Sequence, residues 1–200
     1  MVIHMLEKAA IAMTEFMYKK GVISLSKRPT FIYGFQLTLS ALCSSFSILT
    51  ISILLGKPLS ALMFFIVFFW TRLFSGGFHA NTYLRCFFLT NVVYLLVVLI
   101  SEILFRFSSI PLLLSAQILS GLIVLFFAPI RHRNHPLSET IYMRNQKVSR
   151  CLVAVFELLF PCLSFLTGSL IWMSLFSASL MAVAILMIVP KIQERRNQYE

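Results

Sequence analysis

The chain has 200 residues, 59% hydrophobic and only 12% charged, with a mean hydropathy of +0.89. That composition excludes a soluble globular domain. Seventeen Lys and Arg stand against seven Glu and no Asp, a net charge of +10 that must be placed at the ends of apolar segments.

Residues 1–22 carry an apolar stripe at Ile3, Leu6, Ala10, Met13 and Met17, with His4, Lys8, Glu15 and Lys19 elsewhere on the helix. This 3-4 spacing predicts an amphipathic helix lying in the membrane interface. The segment carries acids and no small-residue cleavage site follows it, so it is not read as a signal peptide. Apolar spans are expected at 31–55, 58–74, 84–105, 109–129, 149–167 and 169–189. Gly56-Lys57-Pro58, Ser108 to Pro111 and Thr167-Gly168-Ser169 form short turns between them. A longer polar loop is expected at 130–148, and Pro190 opens a polar tail. Continuous apolar runs of about twenty residues fit helices, whereas barrel strands alternate over roughly ten. The expected fold is all-α: a polytopic membrane protein of six transmembrane helices plus an N-terminal amphipathic interfacial helix. It is expected to form one domain over 1–200, with an interfacial segment at 1–28, a six-span bundle at 31–189 and a cytoplasmic tail at 190–200.

Charge sets the expected orientation. Under six spans, one side receives fifteen of the seventeen Lys and Arg, and the other receives only Lys57 and Arg106. By the positive-inside rule both termini, the segment around residues 72–86 and the loop at 131–150 face the cytoplasm of a cell-membrane protein. Cys86 and Cys151 then face a reducing compartment, so structural disulfides are not expected. The basic loop suits lipid headgroups, and no nucleic-acid partner is expected.

The segment Arg72-Leu-Phe-Ser-Gly-Gly-Phe-His-Ala-Asn-Thr-Tyr-Leu-Arg-Cys86 carries the chemistry. It is polar and glycine-broken, and it lies between two apolar runs where ionisable groups are costly and tend to be functional. A cysteine attacks as its thiolate, which a base or a nearby cation favours. Arg85 adjoins Cys86, Arg72 is close in sequence, and His79 can accept the proton. Seven helical residues would separate His79 from Cys86 by about 10.5 Å along an unbroken axis. Gly76-Gly77 supplies the break that lets the backbone turn the imidazole back toward the sulfur. A helix starting after Asn81 would put Cys86 in about its second turn. We read a Cys86–His79 dyad, with the residue that orients His79 left open.

Other readings compete. Cys151 follows Arg150 at the cytoplasmic edge but lacks a glycine-broken segment with a histidine. His132 and His135 could join His79 and Cys86 as zinc ligands, a spacing that is a weak metal signal. A zinc-dependent membrane hydrolase or a small polytopic transporter is therefore the alternative. The dyad itself requires no metal and no cofactor.

The pattern Arg72-x-x-x-Gly76-Gly77-x-His79-Ala80-x-x-x-x-x-Cys86 resembles the AgrB family of accessory gene regulator quorum sensing. The length, the six spans, the amphipathic start and the loop Pro129…Arg133-Asn134-x-Pro136-Leu137 are also similar. The resemblance implies a membrane cysteine endopeptidase that cleaves the C-terminal tail from an AgrD-like propeptide. An acyl-enzyme thioester forms, and an internal nucleophile of the peptide then closes a thiolactone or lactone ring. It implies that Cys86 is the nucleophile and His79 the base, with Arg72, Gly76 and Gly77 needed around them. Arg85, Arg131, Arg133 and Asn134 are the expected substrate-binding residues. A homodimer embedded in membrane lipids fits the same family.

Overall fold

A computed structural model describes residues 2–76, 83–107, 109–130 and 138–199, with side chains over 6–76, 84–107, 109–130 and 138–189. The described residues are helical, with no strand among them. Seven helices follow in order: α1 (Val2–Lys19), α2 (Arg28–Leu54), α3 (Pro58–Ser75), α4 (Tyr83–Phe107), α5 (Ile110–Phe127), α6 (Glu139–Thr167) and α7 (Ile171–Tyr199). Six stretches, one in each helix from α2 to α7, are long and apolar enough to cross a membrane. The chain divides into two compact units, Met1–Gly56 with His79–Val92, and Lys57–Phe78 with Val93–Glu200.

In the first unit, α1 packs on α2. Gly21 at φ 71° turns the chain after α1, and the Gly21 and Val22 N–H groups donate to the carbonyls of Tyr18 and Met17. Pro29 in the first turn of α2 costs no hydrogen bond, because the N–H there has no helical acceptor. Glu15 pairs with Arg28 across the α1–α2 turn. The buried stripe of α1 matches the expected one at Ala10 but departs from it one turn on: Thr14 is buried, while Met13 is 43% exposed. Thr14 tolerates burial because its hydroxyl donates to the Ala10 carbonyl at 2.8 Å. The start of α4 is tied to α2 by the Ser47 hydroxyl, which donates to Asn91 Oδ1 at 2.8 Å.

In the second unit, α7 is the central helix: Met173 through Leu180 are all buried, on every face. Two of its buried serines escape the cost of orphaned hydroxyls by bonding back to their own helix, Ser174 to Leu170 and Ser177 to Met173. Phe176 stacks on Phe160 of α6 with centroids 4.8 Å apart. On α3, which has a π-helical turn at Phe65–Phe69, Phe64 meets Tyr94 of α4 edge to face at 5.4 Å. The Tyr94 hydroxyl shares a 2.7 Å hydrogen bond with Ser60. Lys57 and Arg106 both bind the Glu102 carboxylate.

Two boundaries depart from expectation. Helix α6 starts at Glu139 rather than near 149, so most of the expected 130–148 loop is helical. Ser138 caps it, accepting from the Ile141 N–H at 3.4 Å, and Glu139 complements the helix dipole. The polar tail is likewise helical as far as Tyr199, with Pro190 inside α7. A single proline removes one helical hydrogen bond, and the turns on either side keep theirs.

Candidate active site

Cys86 is the fourth residue of α4, nearer the helix start than the expected second turn. It is half-buried, whereas Cys43, Cys151 and Cys162 are exposed; all four are free thiols. In the first turn, backbone N–H groups lack helical acceptors and the dipole favours an anion. The Thr90 hydroxyl donates to the Cys86 carbonyl at 2.8 Å, fixing the turn that follows the sulfur. Arg85, beside it, is exposed. These residues belong to the first unit.

Arg72 and Gly76 belong to the second unit, at the end of α3. The Arg72 guanidinium lies over the Phe68 ring, 5.4 Å from its centroid, where the π face attracts the cation. Gly76 ends the helix at φ 70° and ψ −152°, and its N–H donates to the Arg72 carbonyl at 3.0 Å. L side chains avoid that conformation. A Cβ on Gly76 would also stand 3.3 Å from the Ile130 carbonyl oxygen. The chain leaving α5 passes directly over this turn, and the Ile130 N–H donates to the Ser75 carbonyl at 3.0 Å.

That strap is a structural feature beside Gly76 that sequence reasoning missed. It fixes Ile130 at the end of α3. Its only sequence signals are Pro129 after α5 and the glycine after α3. A second anchor holds the same crossing. Pro129 cannot donate to the Leu125 carbonyl four residues before it, and Arg150 Nε does so instead at 3.3 Å. Gly77, His79, Arg131, Arg133 and Asn134 lie outside the described residues, as do His132 and His135.

Six membrane-length helices, with a cysteine at one helix start and an arginine and a left-handed glycine at another helix end, define a multi-pass α-helical membrane protein with polar residues at its helix termini. The chain belongs to the AgrB family, accessory gene regulator B, whose model matches residues 10–189. It is thus a membrane protein of accessory gene regulator quorum sensing, a family associated with peptide processing. Neither a curated protein nor a solved structure matches the chain.

Proposed function

We propose that this protein is a membrane cysteine endopeptidase that removes the C-terminal tail of an AgrD-like propeptide and promotes its cyclisation. The observation that carries this reading is the family match, which spans the entire Arg72–Cys86 pattern. The half-buried Cys86 at the start of α4 adds support.

His79 takes the Cys86 proton, and the thiolate adds to the scissile carbonyl. Collapse of the tetrahedral adduct breaks the C–N bond, and His79 returns the proton to the departing amine. The N-terminal part of the peptide remains on Cys86 as a thioester. A thiol within that part then attacks the thioester carbonyl, closing a thiolactone and releasing Cys86. Exchange between two thiols changes little bond energy, so the activation of the acyl group is kept, provided that water is held away. Both termini and the site face the cytoplasm in this reading. Arg72, Gly76 and Gly77 support the site, and Arg85, Arg131, Arg133 and Asn134 bind substrate.

Substitution and mass measurement test it. Cys86→Ala and His79→Ala should abolish cleavage in protein that still inserts, because an unassisted thiol is mostly protonated near neutral pH. Cys43→Ala, Cys151→Ala and Cys162→Ala should each keep substantial activity. Intact mass during turnover should show an adduct of the N-terminal propeptide portion, removed by hydroxylamine. Tail removal by Cys86→Ala protein, purified free of wild type, would refute the nucleophile.

The arginines call for an anionic tail on the substrate. Opposite charges steer association, and salt screens them. Replacing Arg131 and Arg133 with Gln should therefore raise KM most at low ionic strength, with the difference shrinking as salt is added. A KM unchanged at every salt concentration would leave those arginines to the lipid headgroups.

A further inference from the structure

Helix α6 carries a carboxylate in mid-span. Glu157 lies seven residues beyond Arg150 and ten before Thr167, within an apolar stretch that is otherwise suited to lipid. Its side chain turns inward: Oε1 is shut off from solvent and fills the notch left by Gly121 of α5, 2.4 Å from where a Cβ would stand. Val153, one turn earlier on α6, closes the same notch, and Arg150 reaches Leu125. The two helices thus run antiparallel.

Charges that could neutralise Glu157 are missing from its neighbours. Helix α5 between 110 and 127 and α7 between 171 and 189 contain no ionisable residue. Helix α3 contributes only Arg72, in its last turn, and on α6 itself the nearest cation, Arg150, is engaged at Leu125. Among the described residues Glu157 has no ion-pair partner, and Oε1 has no hydrogen-bond donor. Glu157 is half-buried, and a carboxylate charge held against apolar neighbours without compensation is costly.

Further oxygen donors stand unpartnered on the same two helices. Gln117, one turn from Gly121 on the same face of α5, is fully buried, with neither its carbonyl oxygen nor its amide nitrogen satisfied. Pro161, inside α6, offers no N–H to the Glu157 backbone carbonyl four residues before it. Carboxylate, amide and peptide oxygens are hard donors that suit hard cations. A single carboxylate is balanced by a single positive charge, whereas a divalent ion would leave an excess charge in the apolar interior.

We propose that Glu157, seated against Gly121 with the orphaned Gln117 one helical turn along α5, is a binding site within the bundle for one monovalent cation. Na⁺ and H⁺ compete for the carboxylate. The site is independent of the cysteine chemistry, and its test needs no peptide substrate.

The measurement is thermal unfolding of the full-length protein in lipid nanodiscs. NaCl is exchanged for choline chloride at constant ionic strength and the series is repeated over several pH values. A ligand that binds only the folded state raises Tm with the logarithm of its concentration. For Na⁺ as occupant, Tm rises with Na⁺ and acid shifts the midpoint to higher Na⁺. For H⁺ as occupant, Tm depends on pH and is indifferent to Na⁺. In either case Glu157→Gln, a neutral isostere, removes the dependence, and the proposal stands. Gln117→Leu should move the midpoint at least tenfold. If Glu157→Gln does not fold, Glu157→Asp is read instead, and an unmoved midpoint there overturns the site. Equal responses of wild type and Glu157→Gln to Na⁺ and to pH also overturn it.

Discussion

Gly76 combines two constraints that arise from different sources. Its φ of 70° is local, while the Ile130 carbonyl 3.3 Å from its missing Cβ comes from residues more than fifty positions away. Gly76→Ala should therefore cost about 1–3 kcal/mol, the usual range for one residue forced into a sparsely populated conformation. It should also displace the strap between Ile130 and Ser75. Urea-dependent proteolysis in detergent would measure the stability loss. Unchanged stability would show that the turn relaxes freely. Gly34 is the contrasting case, with open space around its missing Cβ and an ordinary helical φ, so an alanine there meets no such obstacle. In one sequence the two glycines look alike. The left-handed φ of Gly76 and the neighbour that crosses it separate them.

At the scale of elements, helix ends explain most of the departures from expectation. The run from Ser138 to Lys147 is polar and reads as loop when hydropathy alone is weighed. Yet Ser138 as N-cap followed by Glu139 in the first turn is a helix start. Ser138→Ala should cost about 1 kcal/mol, as loss of an N-cap usually does. Amide exchange over residues 139–145 should accelerate while the rest of α6 keeps its protection. Uniform acceleration along α6 would instead assign Ser138 a role in packing. The end of α5 works the other way round, since Pro129 leaves the Leu125 carbonyl orphaned and Arg150 satisfies it from another helix. A cation counted in the sequence only as positive charge thus serves as a cap.

For the whole molecule, orientation is the testable quantity. Lys57 and Arg106 are the two cations expected outside, and both share Glu102. With that pairing, the outer edge carries little net charge to oppose the cytoplasmic bias. A reporter fused at Lys57 or Arg106 should read as external. A cysteine-free protein carrying only Cys86 or only Cys151 should react with membrane-impermeant thiol reagents from the cytoplasmic side alone. Labelling of a unique Cys86 from outside would overturn both the orientation and cytoplasmic processing.

The sequence by itself determined the class, because hydropathy and charge act through the solvent. Twenty apolar residues must cross lipid as a helix whichever neighbours they meet, and Lys and Arg choose their side before packing occurs. It also exposed the Arg72 to Cys86 pattern, since chemistry-bearing residues stand out against an apolar background. Tertiary structure decided what depends on partners distant in the chain. The stripe of α1 buries Thr14 rather than Met13 because a small side chain with a self-satisfied hydroxyl suits a helix interface. The strap of Ile130 over Ser75 and the notch at Gly121 that receives Glu157 are contacts between helices. Nothing in the local sequence specifies which helix will supply the missing atom, so such contacts become visible only when the helices have packed.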